Sequence, residues 1–201
     1  MAVTRAKTSS VAQGPSTSKT FLAGNPVILP GSYESIATVT VTAAGGQASV
    51  EFTSIVGTYK HLQIRYMARC AGAYGAADPS AMRGEFNSDT TTTNYYSHFI
   101  RGNGASATAG ANNGPNYFGW VPNNSITSGI FGVGVIDILD YADTNKNKTS
   151  RTLTGFDTNG GGSAYLTSHL WKNTAAITNI KLTAYDGNLV QNSTFALYGI
   201  K

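Results

Sequence analysis

Ser193–Lys201 reads STFALYGIK. Side chains alternate between the two faces of a strand. Phe195 and Leu197 therefore share one face, and Ala196, Tyr198 and Ile200 share the other. A strand apolar on both faces has neighbours on each side and cover above and below. This stretch predicts a closing strand set inside the sheet, with the N-terminal side left to reach a partner.

Working upstream, the same period of two recurs. AITNIKLTAY (176–185) and YLTSHLW (165–171) read as a strand pair, and Asp186-Gly187 is a hairpin dipeptide leading into the closing strand. FGVGVIDILDY (131–141) is the longest apolar run. It places Val133, Val135, Asp137 and Leu139 opposite Gly134, Ile136 and Ile138. A carboxylate among apolar neighbours needs a partner. Arg151, in the strand TSRTLTGFD (149–157) brought back by the turn DTNKNKT, is the expected one. YKHLQIRYMAR (59–69) puts Leu62, Ile64, Tyr66 and Ala68 on one face and a basic set with Arg65 and Arg69 on the other, where acids of adjacent strands would pair with them. IATVTVT (36–42) and QASVEFTSI (47–55), joined by Ala43-Ala44-Gly45-Gly46, read as a hairpin. MRGEFN (82–87), NYYSHFIRG (94–102) and YFGWV (117–121) are shorter strands, and NGASATAGANNGPN (103–116) reads as a surface loop.

Composition agrees with many short strands. Charged residues are 12% of 201, Gly numbers 23 and Tyr 11. A net charge of +4, spread singly over 14 Lys and Arg, lacks the basic run that tracks a phosphate backbone, so nucleic acid is not an expected partner. The single cysteine, Cys70, permits no intrachain disulfide and reads as a small buried residue. MAVTRAKTSS lacks the apolar core of a signal peptide, and no run approaches the roughly 20 apolar residues of a membrane helix. Synthesis and assembly in a cytoplasm, without membrane insertion, are the expectation.

Residues 1–35 differ from the rest: small, polar, without period, and too poor in apolar residues to build a core. They read as an extended arm. Phe21-Leu22 and Val27-Ile28-Leu29 are apolar clusters suited to a neighbour's groove or sheet edge. Residues 36–201 then form the β-domain.

No catalytic constellation stands out. His61, His98 and His169 lie in different strands without metal-ligand spacing, and Gly160-Gly161-Gly162 lacks the flanks of a phosphate loop. Asp140, Asp143 and Asn145 cluster on a turn, but Lys146 and Lys148 beside them favour a solvated hairpin over a calcium loop. The chain therefore reads as non-enzymatic and without a cofactor. Exposed recognition falls to Asn112, Asn113, Tyr117 and Trp120, which border the Gly/Asn-rich loop.

Taken in order, YKHLQIRYMAR, FNSDTTTTNYYSHFIRGNG, VIDILDYADTNKNKTSRTLTGFD, SHLWKNTAAITNIKL and STFALYGIK resemble tailed-bacteriophage virion proteins of the tail fibre and minor tail type, many ending in a similar LYGI phrase. The resemblance implies a self-assembled β-sandwich attached to the particle, with no catalytic residue to carry over. The expected fold is all-β: about ten antiparallel strands in a two-layer, jelly-roll-like sandwich. The expected function is that of a virion structural component, associating as a homotrimer, docking onto other virion proteins by its arm and meeting a host-surface glycan. A capsid decoration protein is the alternative within virion architecture. A carbohydrate-binding module stacking sugars on Tyr117, Trp120 and Trp171 is the alternative from another class.

Overall fold

The computed structural model describes residues 31–73, 79–114 and 116–201, together with the backbone of 19–22 and 25–28. Its strands are β1 (Lys19–Leu22), β2 (Asn25–Ile28), β3 (Tyr33–Thr40), β4 (Ser49–Phe52), β5 (His61–Ala68), β6 (Ser80–Phe86), β7 (Tyr95–Gly102), β8 (Ala107–Asn113), β9 (Asn116–Val121), β10 (Gly132–Leu139), β11 (Lys148–Asp157), β12 (Gly162–Trp171), β13 (Ile180–Ala184) and β14 (Thr194–Ile200). A 3-10 turn, Thr92–Asn94, leads into β7. Two antiparallel sheets pack as a sandwich. The larger has eight strands in the order β3-β14-β5-β10-β11-β12-β7-β8, and the smaller has four, β4-β13-β6-β9.

Period two decides the inner faces. Leu62 and Ile64 of β5, Ile136 and Ile138 of β10, and Phe195 and Leu197 of β14 point inward from the large sheet. They meet Val50, Phe52, Met82, Phe86, Phe118, Ile180 and Leu182 of the small one, all buried. Each such side chain contributes about 1.5–3 kcal/mol relative to exposure. Further along the large sheet the inner face turns polar. Ser150, Thr152 and Thr154 of β11 and Thr167 and His169 of β12 are buried. The Thr152 hydroxyl lies 3.1 Å from His169 Nε2, and burial holds the His169 imidazole neutral, its pKa down to about 3.

Several expected partnerships change, and the reason is common to them. Alternation says which way side chains point, not which strand lies alongside. The turn at 43–46 does form, with Gly46 N–H donating to the Ala43 carbonyl at 2.9 Å. The chain then bridges from Gln47 to Leu189 and crosses to the other layer, so β3 and β4 lie in different sheets instead of forming a hairpin. Likewise β13 pairs with β4 and β6, not with β12. Asp186-Gly187 carries the chain between layers, with Gly187 at φ +69°, so β13 and β14 form no hairpin. The stretch 103–116 is not all loop. Its small residues build β8, which pairs along β7 and ends the large sheet in an edge with little apolar side chain.

Arg65 and Arg69 also depart from expectation. Among the described residues neither pairs with a carboxylate. Arg65 bonds the Gln63 side chain and lies over the rings of Tyr33 and Tyr198. Arg69 falls past the end of β5 and is buried, where its guanidinium donates to the carbonyls of Ile126, Thr127 and Ile130 at 2.7–3.0 Å. It pins the 126–130 loop. Cys70 beside it is buried, which pushes its thiol pKa up.

Within 1–35, β1 and β2 pair antiparallel, setting Phe21 opposite Pro26 and Val27 opposite Thr20. The two apolar clusters thus lie on paired strands, because they are close enough in sequence to match each other. Leu29 lies outside the described residues. The large sheet begins at Tyr33, three residues before the expected boundary, since Tyr33 to Ser35 already pair with β14. The closing strand is interior, between β3 and β5, but only one of its faces is buried. Tyr198 and Ile200 are half-covered on the outer face instead.

Candidate functional site

The large sheet overhangs the small one. Strand β9 is the last of the small sheet and packs over β10, β11, β12 and β7. Among the described residues no strand of the small sheet lies beyond it to cover β8. At this step the chain builds an aromatic cleft. In β9, Gly119 adopts φ +123°, a conformation that side chains disfavour. A Cβ there would sit 2.3 Å from Thr154 Cγ2 and 2.8 Å from the Tyr66 hydroxyl, so only glycine permits this close approach. The pairing with β6 shifts register here, Ala81 facing Trp120 and Arg83 facing Tyr117. Such a bulge re-aims the side chains around it.

The result is a row of rings. Trp120 stacks on Tyr165 of β12 at 4.1 Å between centroids, with Tyr117 near-parallel at 6.4 Å and Phe99 of β7 tilted at 5.3 Å. Asn112, Ala81 and Tyr185 complete a cleft of about 200 Å³. Beside two of its lining rings, the Arg83 guanidinium lies 4.1 Å from the Tyr185 ring centroid and 5.8 Å from that of Tyr117. Among the described residues Arg83 has no carboxylate partner. Three of the four residues expected to carry recognition, Asn112, Tyr117 and Trp120, therefore line one cleft. Asn113 faces the other way and is exposed opposite Tyr96. Phe99, Tyr185 and Arg83 were not foreseen, because the strands that supply them are distant in sequence.

Trp171 is no platform for a sugar. It is 1% exposed, packs against Phe86, and its indole N–H donates to Asp89 at 2.8 Å. Asp89 also accepts from Asn94 and from the Thr91 backbone. Burial pushes its carboxyl pKa up, but these hydrogen bonds outweigh that and hold it below the usual value.

The turn at 140–149 holds its oxygens for ammonium groups. Asp140 is paired by Lys60 and Lys146, which bring its pKa down to about 2, and Asp143 lies 3.3 Å from Lys146. Lys148, 1% exposed, donates to the carbonyls of Asp143, Lys146 and Thr174. Among the described residues no cluster of three metal-ligating side chains occurs.

A second surface lies on the outer face of the large sheet. One cross-strand row runs Ala196, Arg65, Val135, Leu153, Leu166, Ile100, Ala109. Met67 and Val133 sit beside it in the next row. Leu153 is 60% exposed and Ile100 58%. The adjoining row is polar, with Gln63, Asp137, Arg151 and Ser168 in register. Asp137 is not buried but stands on this face, accepting from Gln63 at 2.8 Å and lying 3.4 Å from Arg151 Nη2.

No family model matches the chain, and no curated protein and no solved structure does either.

Proposed function

We propose that the chain is a structural component of a tailed-phage virion, tail-fibre or baseplate-associated, that assembles with copies of itself through the outer face of its large sheet. The observation that carries this reading is the apolar row Val135, Leu153, Leu166, Ile100. Contiguous exposed apolar surface of this kind marks association sites, and the flanking Asp137 and Arg151 supply opposite charges that fix register. Strand order adds support. Taken as eight in chain order, β3, β4, β5, β6, β9, β10, β13 and β14 lie as 1-8-3-6 over 2-7-4-5. This order supports reading the sandwich as jelly-roll-like, an architecture that serves viral shells and lectins. The hairpins β7–β8 and β11–β12 widen one sheet of it. The arm, 1–35, would then dock the assembly onto other virion proteins.

Sedimentation velocity of the full chain and of a Leu153→Glu, Leu166→Glu double variant tests the reading. A homotrimer that becomes a folded monomer in the variant supports it, and a wild-type monomer at all concentrations refutes it. Gold label on particles separates the tail from the head, where the protein would instead decorate the capsid. Deleting 1–30, which spares β3 and its pairing with β14, should abolish incorporation while leaving the oligomer intact.

A further inference from the structure

We propose that the cleft between β8 and β9 binds an acidic saccharide, one sugar ring carrying a carboxylate. This inference does not depend on the virion reading, since it concerns a cleft within one β-domain.

The cleft has the chemistry that a sugar needs. A pyranose presents a face of C–H groups and an edge of hydroxyls. Tyr117 and Trp120 are half-exposed rings lying within 19° of parallel, and Tyr185 is 40% exposed at the other wall. Flat, partly wetted aromatic surfaces of this kind gain most from covering apolar C–H faces. Asn112 adds one amide, which offers both donor and acceptor to a vicinal pair of hydroxyls. At about 200 Å³ the space is smaller than the roughly 300–1,000 Å³ of sites for drug-sized ligands. It suits a single ring with its neighbours trailing over β8, where Gly110 lies beneath the Phe99 ring and leaves the sheet surface low.

Arg83 gives the charge preference. Its guanidinium carbon lies over the Tyr185 ring at 4.1 Å from the centroid, a contact that does not use its N–H donors. The nearest acid of its strand, Glu85, is engaged by Lys181 at 3.9 Å. A planar guanidinium that has no carboxylate partner among the described residues, beside a sugar platform, matches a carboxylate through two parallel hydrogen bonds. Aromatic rings with an arginine also suit a nucleotide base. The observations favour the sugar, because a strand of nucleic acid needs further cations along its path and the net charge of +4 is scattered.

The test is a glycan array probed with the full chain, followed by isothermal titration with trigalacturonate, sialyllactose, lactose and oligo-dT. The expected result is saturable binding of at least one acidic probe, at least tenfold tighter than lactose. Trp120→Ala should abolish it. Arg83→Gln should weaken the acidic probe at least tenfold and leave lactose unchanged, with Arg83→Lys in between. Because Trp120 also packs on Tyr165, Asn112→Ala provides a milder variant, expected to cost three- to tenfold with the unfolding midpoint unaltered. Absence of binding to every acidic glycan, equal affinity for lactose, undiminished binding by Arg83→Gln, or preference for oligo-dT would each overturn the proposal.

Discussion

Replacing Lys148 by Met removes one charge and leaves the stem. The four-carbon side chain is 1% exposed, so Met fills nearly the same space and cavity formation contributes little. What is lost is a set of three hydrogen bonds from one ammonium to the carbonyls of Asp143, Lys146 and Thr174, the last two at 2.9 and 2.8 Å. Hydrogen bonds to a charged group contribute about 1.5–3 kcal/mol each, so the gross loss is about 4.5–9 kcal/mol. Two corrections reduce it. The charge no longer has to be desolvated, a cost visible in the lowered Lys148 pKa, for which burial is the leading cause. The carbonyls of Lys146 and Thr174 also belong to exposed residues and can regain water. A net destabilisation of about 2–4 kcal/mol follows, which for a chain of 201 residues is about 4–16 °C in Tm. Urea unfolding followed by circular dichroism measures it, with a lower midpoint and an unchanged m-value. A change within about 0.5 kcal/mol would refute the idea that this ammonium organises the turn.

Gly119→Ala should cost about 2–5 kcal/mol, combining left-handed strain with the 2.3 Å approach to Thr154, and urea titration will show it. Stability should fall as pH drops from about 6.5 toward 3, because the unfolded chain protonates His169 while the fold keeps it neutral. Between pH 6.5 and 4.5 this amounts to about 2.3 kcal/mol, the slope approaching about 1.36 kcal/mol per unit as the unfolded imidazole becomes fully protonated, and His169→Gln should flatten that part of the profile. If both proteins follow the same slope, the loss comes from other groups. Asp89→Ala strips an acceptor from Trp171, Asn94 and Thr91, and should cost about 2–3 kcal/mol with a red-shifted Trp171 emission.

The alternation in β5, β10 and β14 could be read directly, since inward and outward residues differ in polarity at every step. Asp137 opposite Arg151 was readable for the same reason, once a short turn joined their strands. Sheet membership was not. The links at 43–46 and 186–187 carry the Gly and Asp-Gly signals of hairpins, yet each spans the gap between layers, and nothing local distinguishes the two uses. Strand β8 was hidden because Ala, Gly and Thr carry too little side chain to show a period. In the cleft, Tyr117 and Trp120 announced themselves as adjacent aromatics. Arg83 and Tyr185 did not, since their strands lie far from YFGWV in sequence and meet it only through sheet pairing and the bulge at Gly119. Trp171 misled for the opposite reason: an aromatic near a turn looks available until its N–H is seen to end on Asp89.

The position of β14 bears on how the chain can be assembled. Thr40 and its cross-strand partner Thr194 are 154 residues apart, and β14 fills the space between β3 and β5. Until residues 194–200 arrive, both neighbours present open edges, a slow and association-prone stage for any sheet closed by distant strands. A chain shortened by this strand would hold a vacant slot rather than a frayed end. The segment STFALYGIK offered from outside, by a peptide or by another copy, is the piece shaped to occupy it.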